Sequence, residues 1–92
     1  MIKSWNSKGL ENLYENGSTK GVHQEHKDKI LRILDKLDSS TSPDDMRLPA
    51  FGLHKLKGKR SAVWSVKVNG NWRITFEFDG QDMINVNYED YH

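Results

Sequence analysis

Residues 63–88 read VWSVKVNGNWRITFEFDGQDMINVNY, and apolar and polar side chains alternate along three runs within this stretch. A period of two is typical of strands that bury one face. The predicted strands are Val63–Val68, Trp72–Phe78 and Met83–Tyr88. Asn69-Gly70 and Asp79-Gly80 separate them, and both dipeptides favour tight turns because their residues tolerate positive φ. The stretch therefore predicts an antiparallel meander.

The alternation divides the predicted sheet into an apolar face and a polar face. The apolar side chains are those of Trp64, Val66, Val68, Trp72, Ile74, Phe76, Phe78, Ile84, Val86 and Tyr88. The polar face carries Lys67, Arg73, Thr75 and Asn87. Trp64 and Trp72 could stack on nucleobases, but their alternation with aliphatic residues favours packing in the core. If helices cover the apolar face, the basic polar face is left exposed and could hold RNA.

The residues before the meander predict a short strand and two helices. Ile2–Trp5 forms the predicted opening strand. Ser7 can then cap a helix that runs to about Glu15 and stops at Gly17. A second helix is predicted over Val22–Leu37, where apolar residues recur at helical spacing. Helices followed by antiparallel strands predict an α+β fold in which the helices pack on one face of the sheet.

The composition is that of a small globular domain. The chain has 92 residues, of which 35% are hydrophobic, so a single domain over residues 1–92 with one modest core is expected. It contains no cysteine, which excludes disulfide frameworks and thiolate zinc sites and fits a cytoplasmic protein. Apolar runs near the N-terminus are only two residues long, so neither a signal peptide nor a membrane span is predicted.

The net charge of +1 conceals an uneven distribution of charge along the chain. Residues 47–76 contain no acidic residue and seven basic ones, which are Arg47, Lys55, Lys57, Lys59, Arg60, Lys67 and Arg73. Residues 77–92 contain no lysine or arginine and five acidic residues. A folded segment of one sign can produce a local field that attracts an anionic partner such as RNA. A solvated surface without a partner is the alternative interpretation.

Two histidines, His54 and His92, are candidates for acid–base chemistry on RNA. Cleavage by the RNA's own 2′-hydroxyl needs a base, an acid and a cation for the phosphorane charge, but no metal or other cofactor. Imidazole suits proton transfer near neutral pH, and the planar fork of arginine suits the cationic role. Lys57 or the Tyr91 hydroxyl could also move a proton if its pKa were shifted. By residue type alone, surface or structural roles for both histidines are the simpler interpretation.

His23 and His26 lie three residues apart on the second predicted helix, a spacing that could suggest a pair of metal ligands. No carboxylate or further histidine has the spacing that metal sites use, so we expect surface histidines and no metal here.

Three segments of the chain together resemble HigB-type toxins of the RelE superfamily. They are Leu53–Arg60 (LHKLKGKR) continued by Trp64–Phe76 (WSVKVNGNWRITF), the ending Asn87–His92 (NYEDYH) and the opening Met1–Trp5 (MIKSW). The resemblance covers essentially the whole chain, and the combination is far more specific than any one residue in it. Two positions depart from the pattern common in the family, with Lys55 in place of proline and Ala62 in place of glycine. Neither is a proposed catalytic side chain, although Lys55 adds a charge beside His54.

The resemblance implies a fold, an activity and partners. The RelE-like fold has two N-terminal helices against a curved antiparallel sheet, which agrees with the periodicity. The implied activity is that of an mRNA endonuclease working on translating ribosomes, at the decoding site of the small subunit. The implied partner is a HigA-type antitoxin with a helix-turn-helix. The toxin would contact operator DNA only through this antitoxin.

The resemblance also implies a catalytic set, which is His54, Lys57, Arg73, Asp90, Tyr91 and His92. In this set Arg73 and Lys57 would stabilise the phosphate. His54 and His92 would transfer protons, with the assignment of acid and base left open. Tyr91 would place or stack a base, and Asp90 would orient a neighbour. The expected RNA- or ribosome-binding residues are Lys55, Lys59, Arg60 and Lys67, for which a purely solubilising role is the alternative.

Two other functions compete with the nuclease hypothesis. A ParE-like toxin would inhibit DNA gyrase without catalysis, but that group typically lacks the combination of His54, Arg73, Tyr91 and His92. A plain nucleic-acid-binding module would depend on the basic residues and be indifferent to the histidines.

Overall fold

The computed structural model describes residues 1–90, which form two α-helices and a four-stranded sheet. The helices are α1 (Lys8–Asn16) and α2 (Lys27–Ser39), and the strands are β1 (His54–Lys55), β2 (Trp64–Asn69), β3 (Trp72–Asp79) and β4 (Asp82–Asp90). The strands are antiparallel neighbours in chain order. The predicted α+β fold with an antiparallel meander is therefore confirmed, and it is consistent with the RelE-like fold.

The hydrophobic core lies between the two helices and one face of the sheet. Its fully buried members include Leu10, Leu13, Ile30, Ile33, Leu34, Leu37, Val66, Ile74, Phe76, Met83 and Val86. Each such side chain contributes roughly 1.5–3 kcal/mol relative to its exposed state, so this layer dominates the stability of the fold. The rings of Trp64 and Trp72 are partly buried against the core, as the alternation predicts. Within residues 1–90, no helix has the length and apolar content that crossing a membrane requires.

Helix α1 has the ends that its sequence predicts. The Ser7 side chain accepts a hydrogen bond from the Leu10 amide at 3.1 Å and so satisfies one free N–H of the first turn. Gly17 ends the helix in the left-handed conformation, with φ of 75°. The predicted helix from Ser7 to about Glu15 is confirmed.

Helix α2 begins at Lys27, so the prediction that it begins at Val22 is wrong. Gln24–His26 instead form a single 3₁₀ turn. The His26 ring is buried and shares a hydrogen bond with the Tyr88 hydroxyl of β4 at 2.6 Å. This contact holds the turn against the sheet.

The N-terminal segment lies along β4 and forms two isolated bridges with it. Ile2 bridges Met83 and Trp5 bridges Val86, both in parallel orientation. Between the bridges, the Ser4 hydroxyl accepts a hydrogen bond from an amide of β4 at 2.8 Å. The predicted strand at Ile2–Trp5 is thus reduced to two isolated bridges, because β4 is not regular along this edge.

The irregularity is a bulge at Asn85, and it changes which residues of β4 face the core. The register shifts between Thr75 and Glu77 of β3. Asn85 takes a φ of 56°, a left-handed conformation that asparagine tolerates better than most residues. Met83 is consequently buried in the core, whereas Ile84 lies opposite Glu77 and is half-buried. The prediction that Ile84 belongs to the apolar face is wrong, because strict alternation ends at the bulge.

The bulge gives a stability prediction. Asn85→Ala and Asn85→Gly both remove the hydrogen bond from Asn85 Nδ2 to Glu77 Oε2, so they differ mainly in tolerance of positive φ. We expect the alanine variant to be less stable than the glycine variant by about 1 kcal/mol in chemical denaturation. At Asn71, whose φ is not positive, the same pair of substitutions should show no advantage for glycine. Equal stabilities of the two Asn85 variants would contradict the role given to the bulge.

Candidate active site on the polar face of the sheet

Two rows of side chains cross the polar face of the sheet. The first row contains, from β1 to β4, His54, Ser65, Thr75 and Asn87. The second row contains Lys67, Arg73 and Glu89. Directly opposite side chains in an antiparallel sheet share a face, with Cβ atoms roughly 4.5–5.5 Å apart. The two-residue strand β1 therefore adds His54 to the face that was predicted to carry Lys67 and Arg73.

A cleft of about 370 Å³ opens on this face. It is lined by Gly52, His54, Leu56, Ser65, Lys67 and Arg73. The structure thus brings together two residues of the predicted catalytic set, His54 and Arg73, and one of the predicted RNA-binding residues, Lys67. An imidazole together with a lysine and an arginine side chain in one open cleft can bind an anion and exchange a proton with it.

Arg73 has an unsatisfied donor in this cleft. Its Nη1 atom is buried and has no hydrogen-bond partner among the described residues. A buried donor without an acceptor costs roughly 1–3 kcal/mol, and more when the group is charged. Because Arg73 also lines the cleft, its guanidinium group can attract an anion such as phosphate there.

The other predicted catalytic residues lie elsewhere or outside the described part. Lys57 is exposed and immediately precedes a 3₁₀ turn, Gly58–Arg60, and it does not line the cleft. Asp90 lies opposite Trp72, on the helix side of the sheet, and lines a separate cleft of about 310 Å³. Tyr91 and His92 lie outside the described residues.

The predicted RNA-binding arginine, Arg60, forms an ion pair across the polar face. Its Nη1 and Nη2 atoms donate to the two carboxylate oxygens of Glu89 at 3.0 and 2.6 Å. The Thr75 hydroxyl donates to the same carboxylate. Glu89 was not among the predicted site residues, because the last predicted strand ended at Tyr88. No local sequence pattern links two residues that are 29 positions apart, as Arg60 and Glu89 are.

These contacts change the acidity of Glu89. Hydrogen bonds from Arg60 lower the pKa of its carboxyl group, and bonds from Thr75 and Asn87 act in the same direction. Burial opposes them by penalising the charged form, but the net pKa is lowered. Glu89 is therefore a carboxylate throughout the neutral range, and it places a fixed negative charge beside Arg73.

The basic surface extends beyond the sheet onto α2. Lys29 Nζ donates to the Ala50 carbonyl at 3.0 Å, and the Lys67 amide donates to the next carbonyl, that of Phe51, at 2.6 Å. Burial, followed by the charges of Arg32 and Lys67, lowers the pKa of Lys29. Lys29 and Arg32 were not predicted as site residues, since periodicity does not show which exposed residues of a helix lie near the sheet.

Two further predicted RNA-binding residues, Lys55 and Lys59, are exposed. The ammonium group of Lys55 lies 5.5 Å from the centre of the Trp64 ring, within the range of a cation–π contact. Both are therefore accessible to an anionic partner, with Lys55 opposite Trp64 on the other face of the sheet from His54.

The two histidines that were predicted on the second helix, His23 and His26, differ from each other. His23 is exposed and packs against Trp72 at a ring-centre distance of 4.9 Å. His26 is 4% exposed, so the prediction of two surface histidines is wrong for His26. Its burial follows from the hydrogen bond to Tyr88, which a helical pattern does not reveal. In the part of the chain that the structure describes, no three histidine or carboxylate side chains are grouped to hold a metal ion.

Comparison with known proteins gives two matches that span the chain. Residues 3–92 match the family model of the RelE-like toxin of type II toxin-antitoxin system HigB. The chain is also 45% identical over 92 residues to the Endoribonuclease HigB of Proteus vulgaris, with the full length of both proteins covered. The similarity is thus not confined to the cleft or to the terminal motif.

The acidity of Glu89 predicts a pH dependence of stability. Its folded pKa is lowered, so its contribution is present above the ordinary value of 4.5 and is lost as pH falls through the lower folded pKa. At pH 7 we expect Glu89→Gln to lower the free energy of unfolding by about 1 kcal/mol, a small value because Arg60 is partly exposed. This difference in unfolding free energy between the variant and the parent protein should disappear in acid denaturation curves below pH 4.5. Asp44→Asn, in an exposed pair with Arg47, should have a smaller effect at pH 7.

Proposed function

The chain belongs to the HigB-like family of RelE-like toxins, and on this premise we propose that it is an endoribonuclease that cuts translated mRNA on the ribosome. It would act as the toxin of a type II toxin–antitoxin pair. The observation that carries the proposal is that Arg73 and His54 line the same open cleft, while Nη1 of Arg73 has no hydrogen-bond partner among residues 1–90. This arrangement provides an anion site next to an imidazole, a side chain suited to proton transfer.

The proposed reaction uses the RNA as its own nucleophile. The 2′-oxygen attacks the adjacent phosphorus, the bond to the 5′-oxygen breaks, and the products are a 2′,3′-cyclic phosphate and a 5′-hydroxyl. One group removes the 2′ proton and another supplies a proton to the 5′-oxygen, and His54 and His92 are the candidates for these roles. The negative charge that develops on the phosphorane would be stabilised by Arg73, with Lys57 as a second cation.

The remaining assignments of the catalytic set are proposals of the same kind. Tyr91 would place or stack a base of the message, and Asp90 would orient a neighbouring group. Lys55, Lys59 and Lys67 would bind phosphates of the message or of ribosomal RNA, and Lys29 and Arg32 extend this surface onto α2. Lysine contacts to phosphates supply affinity with little sequence preference, so codon choice would depend on the groups that touch bases.

The ribosome would supply what a chain of this size lacks. Cleavage requires the 2′-oxygen, the phosphorus and the leaving oxygen to be nearly in line, and holding that geometry can contribute roughly 7–11 kcal/mol to catalysis. The cleft of about 370 Å³ is too small to fix several nucleotides by itself. We therefore propose that the decoding site positions the message, and that the protein works in the cytoplasm under control of a HigA-type antitoxin.

The first functional prediction concerns the cleft. In cells that express the protein, Arg73→Ala and His54→Ala should each lower message cleavage by about 100-fold or more, because each removes a group that acts on the transition state. The measurement is mapping of transcript 5′ ends after induction. Arg47→Gln removes an arginine from an exposed ion pair and is the matched control, with cleavage unchanged. Intact transcripts together with stalled replication in the parent strain would instead indicate a gyrase inhibitor.

The second functional prediction concerns the ribosome. Purified protein should cut a short message rapidly when it is bound to programmed ribosomes, and at least about 100-fold more slowly when the same RNA is free, because positioning is lost. Single-turnover cleavage of end-labelled RNA measures both rates. Equal rates with and without ribosomes would refute the proposed ribosome dependence while leaving the nuclease assignment intact.

A further inference from the structure

Arg73 and Glu89 lie directly opposite each other on β3 and β4, on the same polar face. Opposite charges at such positions normally pair, since their Cβ atoms are only roughly 4.5–5.5 Å apart. Yet the Glu89 carboxylate accepts hydrogen bonds from Arg60 and Thr75, and Nη1 of Arg73 has no partner among the described residues. The nearest cross-strand carboxylate is thus bound to a different arginine.

Arg60 is suited to hold this carboxylate because it occupies both oxygens at once. The two bonds, at 3.0 and 2.6 Å, form the bidentate fork that arginine makes with carboxylates. Arg60 comes from the 3₁₀ turn between β1 and β2, so the pair reaches from one side of the sheet to β4. With Thr75 as a further donor, little of the carboxylate's accepting capacity remains for Arg73.

We propose that Arg60 is a positioning residue that keeps Glu89 from pairing with Arg73, so that the Arg73 guanidinium is available to the substrate phosphate. Arg60 then acts through Glu89 and does not itself bind the RNA. This inference rests on the proposed function for the identity of the phosphate, but the competition between the two arginines is a property of the folded protein alone.

The proposal makes a suppression test possible. If Arg60 only restrains Glu89, removing Arg60 lowers cleavage and phosphate affinity because the freed carboxylate pairs with Arg73. Neutralising Glu89 in the same protein should then restore both properties. If Arg60 binds RNA directly, neutralising Glu89 cannot replace the lost contact. The two roles therefore predict opposite results for the same double variant.

The experiment compares Arg60→Gln, Glu89→Gln and the double variant Arg60→Gln/Glu89→Gln with the parent protein. The first readout is ribosome-dependent cleavage. The second is titration with inorganic phosphate, followed through the arginine side-chain N–H signals in NMR spectra. Arg47→Gln controls for the loss of one arginine from an ion pair, and thermal unfolding checks that each variant is folded.

We expect Arg60→Gln to lower kcat for cleavage and phosphate affinity by about tenfold or more, as loss of a charge-stabilising donor does. The double variant should recover to within about threefold of Glu89→Gln in both readouts. Arg60→Lys, which cannot form the bidentate fork, should lie between the parent and Arg60→Gln, and it replaces the glutamine variant if that one does not fold.

Two results would overturn the proposal. One is a double variant as impaired as Arg60→Gln, which would make Arg60 a direct RNA ligand. The other is an Arg60→Gln protein with unchanged phosphate affinity. If the parent protein cuts no RNA at all, the proposed function fails, and the phosphate titration still decides whether Arg60 keeps Arg73 available.

Discussion

The pairing of β3 with β2 and β4 is the constraint on which the rest of the structure depends. Along β3, Ile74 and Phe76 face the core while Arg73 and Thr75 face the opposite side. A shift of one residue would place the Arg73 guanidinium under the helices and expose the Phe76 ring. Since an unpaired buried charge costs several kcal/mol, the packing of the core and the position of the polar-face residues are fixed by the same register.

Because of the bulge at Asn85, β4 contributes side chains to both the core and the polar face along its whole length. Met83 faces the core before the bulge, and Val86 and Tyr88 face it after the bulge. The strand thus accommodates one extra residue, and the apolar side chains on both sides of the bulge stay on the core face. The N-terminal segment is attached at the same place, through the hydroxyl of Ser4 and the amide of Asn85. The position of Glu89 opposite Arg73 thus depends on a local distortion several residues away.

The polar face combines a bidentate ion pair with a second arginine that is not part of it. Arg60 pairs with Glu89, while a buried N–H of Arg73 has no acceptor within residues 1–90. Such a donor lowers the stability of the fold, and local costs of this kind are typical of functional sites. The guanidinium group of Arg73 is held at the cleft by the strand pairing, and a cation fixed in this way favours binding of an anion.

The sequence by itself determined the α+β class, the extent of α1, the three long strands and the polar face with Lys67 and Arg73. These features follow from short-range patterns, because periodicity, caps and turn dipeptides act over a few residues. Its resemblance to a toxin family indicated the class of activity. Only the tertiary structure decided the start of α2, the bulge that moves Ile84 off the core face, the burial of His26 and the ion pair of Arg60 with Glu89. Each of these depends on contacts between residues far apart in the chain, such as His26 with Tyr88, and such contacts leave no periodic signal.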